Sequence, residues 1–171
     1  MFRRDVVAPA GAGPYPIVSA VAAHAILWRA SVCTAPCPLV LADLHTSVQR
    51  ELGGPPGLGS PSDAAAQFSP DGALLAVATR RVVPGRPSPV ADITVFDTVT
   101  GAPVWHDETD RLSTRGGRQS STPGIVSSLV WDPSSRWLFF TVDSRLLAHR
   151  IGRQDDMELG AFAPAAAFDA G

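Results

Sequence analysis

Phe68-Ser69-Pro70-Asp71-Gly72-Ala73-Leu74-Leu75-Ala76-Val77-Ala78-Thr79 reads as the end of one strand, a turn and a second strand. Pro70 presets φ for the first corner of the turn, and Gly72 accepts a positive φ at the next. The apolar run from Leu74 has strand length and no alternation, as expected of a strand covered on both faces. Upstream, residues 64–68 form a short first strand. Downstream, past a Pro-rich insertion over residues 81–89, Ile93-Thr94-Val95-Phe96-Asp97 alternates β-branched and aromatic residues. Thr98-Val99-Thr100-Gly101 turns the chain again into Pro103-Val104-Trp105-His106, so the stretch predicts a four-stranded antiparallel meander.

The same order recurs on both sides. Ile17-Val18-Ser19-Ala20-Val21-Ala22 matches Ile125-Val126-Ser127-Ser128-Leu129-Val130 position for position, and Ala165-Ala166-Ala167-Phe168-Asp169 looks like a further start. Self-similarity in fixed order marks one supersecondary unit that buries its faces by stacking on its neighbours. Unit one is predicted to carry strands over 17–22, 25–30, 39–44 and 48–52. Unit three carries them over 126–131, 137–142, 146–151 and 157–162, with Asp132-Pro133-Ser134-Ser135 as its first turn. No window shows a sustained apolar period of 3.6 with capping residues, so helix has little place.

Two motifs resemble a known family. Phe68-Ser69-Pro70-Asp71-Gly72 is similar to the turn after the inner strand of TolB-like and WD-repeat β-propellers. Ile93 to Gly101 resembles the third strand and following turn of WD repeats, with Phe96-Asp97 where Trp-Asp is usual, and Trp131-Asp132-Pro133-Ser134 resembles the first turn in degenerate form. The resemblance implies an all-β chain, a partial β-propeller of about three four-stranded antiparallel blades plus one extra strand. Residues 1–14 are then a flexible lead-in to an incomplete propeller domain over 15–171. Its blades cover about 15–62, 63–124 and 125–163, and 164–171 starts a further strand. No Gly-His dipeptide precedes the units, so the histidine network of true WD repeats does not carry over. Asp43 and His149 are expected in the slot of Asp97, which implies that the role of that aspartate is not repeated faithfully.

Closed propellers use about four to eight blades. Three blades and one strand therefore read as the terminal piece of a larger propeller, as half of a six-bladed ring closed by a homodimer, or as an open irregular β domain. Composition fits: 45% hydrophobic residues support a real core, and 15 Gly with 16 Pro suit many short strands and turns. A net charge of −2 without charge runs argues against a nucleic-acid surface. All 14 basic residues are Arg, which excludes a lysine nucleophile or Schiff base. No stretch approaches the roughly 18 apolar residues of a membrane span. Met1-Phe2-Arg3-Arg4 with the run from Ile17 to Trp28 mimics a signal peptide, but Asp5, Pro9, Pro14 and Pro16 break it.

Candidate chemistry is sparse. Cys33 and Cys37, separated by Thr34-Ala35-Pro36, read as a loop disulfide or as two inert thiols, and make a poor zinc site. His24, His45, His106 and His149 are scattered over different units, and His45 and His106 read as solvated rather than as ligands. Asp107, Glu108 and Asp110 beside His106 match no calcium loop and read as a charged surface. Arg111, Arg115 and Arg118, with Gly116-Gly117 and Ser120-Ser121-Thr122, form either a mobile linker or a basic loop for phosphate or an acidic partner. Trp28, Trp105, Trp131 and Trp137 are expected to fill space between blades. Ser19, Ser69 and Ser127 lie in no nucleophile elbow.

No residue is therefore assigned to catalysis, to a cofactor or to a metal. The expected function is a non-catalytic propeller segment serving as a protein-interaction scaffold, with a protein partner and no nucleic acid, since rigid β scaffolds place recognition in their loops. The alternative is an accessory ligand-binding or hydrolase-associated propeller whose site lies in a central channel. Carboxylates or histidines converging on that channel would mark the second reading. The TolB-like resemblance and the paired Cys favour an extracytoplasmic, bacterial setting.

Overall fold

The computed structural model describes residues 17–29, 39–52, 65–81, 90–108, 126–142, 145–154 and 156–161. The described residues form twelve strands and no helix. Sheet 1 comprises β1 (Ile17–Val21), β2 (Ala25–Arg29), β3 (Leu39–Asp43) and β4 (Gln49–Glu51). Sheet 2 comprises β5 (Ala65–Phe68), β6 (Leu74–Arg81), β7 (Val90–Asp97) and β8 (Pro103–Glu108). Sheet 3 comprises β9 (Val126–Trp131), β10 (Trp137–Val142), β11 (Arg145–Arg150) and β12 (Asp156–Ala161). Each is an antiparallel meander in sequence order. Cys33, Cys37, the lead-in over 1–14, the Arg111 to Pro123 insertion and the further start at 165–169 lie outside the described residues.

The sheets stack face to face, and their first strands meet: β5 touches both β1 and β9. Sheet 2 is the filling. Along β6 the period of two sends Leu75 and Val77 to one side and Ala76 and Ala78 to the other. Leu75, Val77, Phe68 and Phe96 pack with Leu27, Leu39, Leu41 and Leu52 of sheet 1. Ala76, Ala78, Ile93 and Val95 pack with Trp131, Leu138, Phe140 and Leu147 of sheet 3. This two-sided burial explains the unbroken apolar run of β6, whose Leu75 and Ala76 are both fully buried.

The chemistry of the first turn repeats between sheets 2 and 3. In sheet 2 the Ser69 N–H donates to Leu74 O and the Gly72 N–H to Ser69 O. In sheet 3 the Asp132 N–H donates to Trp137 O and the Ser135 N–H to Asp132 O. Ser135 thus stands in the slot of Gly72, and both take positive φ, 59° and 73°. The polar pair is swapped between them. Ser69 Oγ accepts from the Leu74 N–H and donates to Asp71, whereas Asp132 accepts from the Arg136 and Trp137 N–H groups and from the Ser134 hydroxyl.

The turn after the third strand corrects two expectations. Asp43 Oδ1 accepts from the His45 and Thr46 N–H groups, as Asp97 Oδ1 accepts from Val99 and Thr100. The Thr46 and Thr100 hydroxyls then accept from Val48 and Ala102, and Ser47 at φ 60° stands where Gly101 stands at 72°. The aspartate's role is therefore repeated bond for bond in sheet 1. In sheet 3 its slot belongs to Arg150 rather than His149, because Trp137 pairs with Arg150 as Leu74 pairs with Asp97. His149 falls one residue inward, in register with the buried Phe96.

Candidate functional site

The polar groups of the described residues gather where these turns end. Between sheets 1 and 2 lies a cleft of about 270 Å³, with His24, Asp43, Thr46 and Arg50 on one wall and Thr98 and Val99 on the other. It is drawn tight by glycine: a Cβ added at Gly72 would lie 2.6 Å from Cε1 of His24. Thr98 Oγ1 ties the two turns of sheet 2 together through the carbonyls of Gly72 and Ala73. Across the next junction, the Asp71 N–H donates to Ser135 Oγ at 3.2 Å and Trp131 Nε1 donates to Gln67 O at 3.0 Å.

The carboxylates here are already employed. The amides of Thr46 and His45 hold Asp43 below the usual carboxylate range, with the charge of His24 adding to the effect. Asp97 is lowered by the Thr100 amide and hydroxyl, the Val99 amide and the charge of Arg50 across the junction. Asp71 is lowered by the Ser69 hydroxyl and the Ala73 amide. Asp132 falls to about 2, chiefly through the Ser134 hydroxyl and then the Trp137 and Arg136 amides. A general base works best with a pKa near the working pH, so these four groups suit turn formation and charge complementarity rather than proton transfer.

The second cleft, about 650 Å³, opens at the turn end of sheet 3, between Trp137, Arg150, Gly152, Arg153, Gln154, Asp156 and Met157. Arg150 rests over the Trp137 ring, 5.8 Å from its centroid. Beneath, Asp156 and His149 share a hydrogen bond of 2.8 Å, with side chains only 3% and 0% exposed. His149 stacks on Trp105 of sheet 2 at 3.8 Å.

The residues singled out in the sequence do not converge. His24 faces the first cleft, His45 is an exposed turn residue, and His149 is a core group between sheets 2 and 3. His106 Nε2 lies 4.0 Å from Oδ1 of the buried Asp92. Asp107 is in β8, and Asp110 lies outside the described residues. Trp105 and Trp131 pack between sheets 2 and 3, Trp28 is buried on the opposite face of sheet 1, and Trp137 lines the second cleft. Ser19 and Ser127 sit in β1 and β9, and Ser69 is the turn residue described above. Among the described residues no three of His, Cys, Asp and Glu gather as a metal group, and no helix is long and apolar enough to cross a membrane. Sequence reasoning missed Arg50 and Arg150.

No protein-family model matches the chain, and no curated protein matches it in sequence. Solved structures do. The chain is similar to a prolyl endopeptidase from a study of two such enzymes, with TM-score 0.54 and 15% identity over 86% of this chain and 22% of that one. It is similar to a chain of the yeast Nup82-Nup159-Nup116 nucleoporin complex, with TM-score 0.51 and 11% identity over 91% and 35%. TolB from Acinetobacter baumannii is matched with TM-score 0.47 and 13% identity over 93% and 35%. The chain thus spans about a fifth to a third of the length of these structures. Such identities speak to fold alone, and at that level the expected β-propeller architecture holds. Three stacked four-stranded meanders with adjoining first strands, alike to propeller structures, make the described chain a set of three β-propeller blades.

Proposed function

We propose that this chain is a non-catalytic β-propeller segment that serves as a protein-interaction scaffold, and that the free face of its third blade docks a further blade. One observation carries the reading. In blade 2 the cross-strand row Gln67, Ala76, Val95, Trp105 is turned toward blade 3. The equivalent row in blade 3 is Val130, Phe139, Ala148, Met157; Ala148 is buried and Phe139 half-buried within it, its two ends are exposed, and no other described sheet packs on it. Val130 is 51% and Met157 53% exposed. An apolar face that is an interface once within the molecule is suited to being one again.

The inner strands support the non-catalytic part. Ile17–Val21, Ala65–Phe68 and Val126–Trp131 carry no carboxylate and no imidazole, whereas a central-channel hydrolase site would draw such groups there. The hydrolase-associated alternative draws on likeness of fold to peptidases such as the prolyl endopeptidase, and fold does not assign function. For the isolated chain the available blade is a second copy. Light scattering should give a mass of at least twice 17.9 kDa, and Val130→Glu should lower it toward the monomer. A monodisperse wild-type monomer that unfolds cooperatively would overturn the docking reading.

A further inference from the structure

The first cleft, between blades 1 and 2, shows what occupies this position when a neighbour is present: Thr98 and Val99 of the next blade's turn close it, and that turn brings Asp97 under the charge of Arg50. The second cleft is the same position on blade 3. Trp137 corresponds to Ala25, Arg150 to Asp43, and Met157 to Arg50, by their pairing registers. No described residue of another blade stands on its neighbour's side, and its charge is changed. Where blades 1 and 2 hold a carboxylate, blade 3 holds a guanidinium, with a second at Arg153 across a turn whose Gly152 takes φ 81°. Both arginines are exposed, and neither forms an ion pair among the described residues. The one described carboxylate lining this cleft, Asp156, has its side chain 3% exposed and hydrogen-bonded to His149.

From this we infer that the turn end of blade 3 recognises an acidic protein segment, one that sets a carboxylate against Arg150 and Arg153 and an apolar side chain against Trp137 and Met157. The inference rests on the scaffold reading and names the chemistry of the partner. The Trp137 ring holds the Arg150 guanidinium in place, so less freedom is lost when it forks onto a carboxylate. In a chain of net charge −2, two exposed arginines that form no ion pair among the described residues, beside Trp137 and Met157, select sign as well as shape.

A fluorescein-labelled octapeptide of alternating glutamate and leucine tests this by anisotropy, titrated into the full chain and into its Val130→Glu variant, in which self-association no longer covers the cleft. The matching lysine–leucine peptide and an eight-nucleotide thymidine strand are the controls. The glutamate peptide should bind best and weaken with salt, and Arg150→Glu with Arg153→Glu should weaken it about tenfold or more. The thermal transition of that double variant should be unchanged, because both side chains are exposed. Absence of binding, equal binding of either control, or indifference to the charge reversal would overturn the inference. Light scattering reports separately on blade docking, so self-association without peptide binding would sink this inference alone.

Discussion

Gly72 holds φ at 73° and gives His24 the room of a missing Cβ, so one residue serves both a turn and a blade junction. Gly152 has φ 81° but nothing within 4 Å of an added Cβ. Gly72→Ala and Gly152→Ala should each lose about 1 kcal/mol from the left-handed conformation in urea unfolding. Only the first should also shift the imidazole resonances of His24. Asp132 makes a second residue-scale test. Its pKa falls from 3.8 to about 2 on folding, so its contribution is fully present above pH 3.8 and is lost as the pH drops through 2. Urea unfolding between pH 2 and 5 should therefore show a shallower acid-side decline in Asp132→Asn than in wild type, from a lower stability at neutral pH.

At the scale of the element, strand limits were legible because their causes are local. The run from Leu74 ends where Ser69, Pro70 and Gly72 make a turn, and twelve expected strands appear within a few residues of their predicted ends. The acceptor role of Asp43 was missed because its turn carries Ser47 where the recognisable version carries Gly101. The slot of Arg150 was missed because it is defined by pairing with Trp137 across the sheet, which no local pattern records. The same one-residue shift hid the character of His149, a fully buried imidazole between Trp105 and Asp156 in the register of Phe96. His149→Phe should fit that space yet leave Asp156 buried without its partner, costing about 3 kcal/mol by chemical denaturation. Adding Asp156→Leu should restore most of that loss, and failure to do so would mean that the ring itself, through Trp105, is what the junction needs.

Across the whole molecule, the repeat made stacking foreseeable, whereas the partners of each face were not. That Ala76 and Ala78 meet Phe140 and Leu138 while Leu75 and Val77 meet Leu27 and Leu41 depends on how blades are turned about the axis. The consequence is unequal protection. Blade 2 is covered by blades on both faces, and blade 3 leaves Val130 and Met157, at the two ends of its outer row, exposed. The two clefts share this asymmetry, one closed by a neighbouring blade's turn and one lined by blade 3 alone among the described residues.

Native-state hydrogen exchange of the full chain tests this stacking order most directly, because amide protection follows local opening free energy. The slowest amides should be those of Leu75 to Ala78 and Ile93 to Phe96 in β6 and β7, with β10 and β11 exchanging sooner and β12 sooner still. Slowest exchange in blade 3, or uniform protection across the three sheets, would mean that blade 2 is not the filling of a propeller stack.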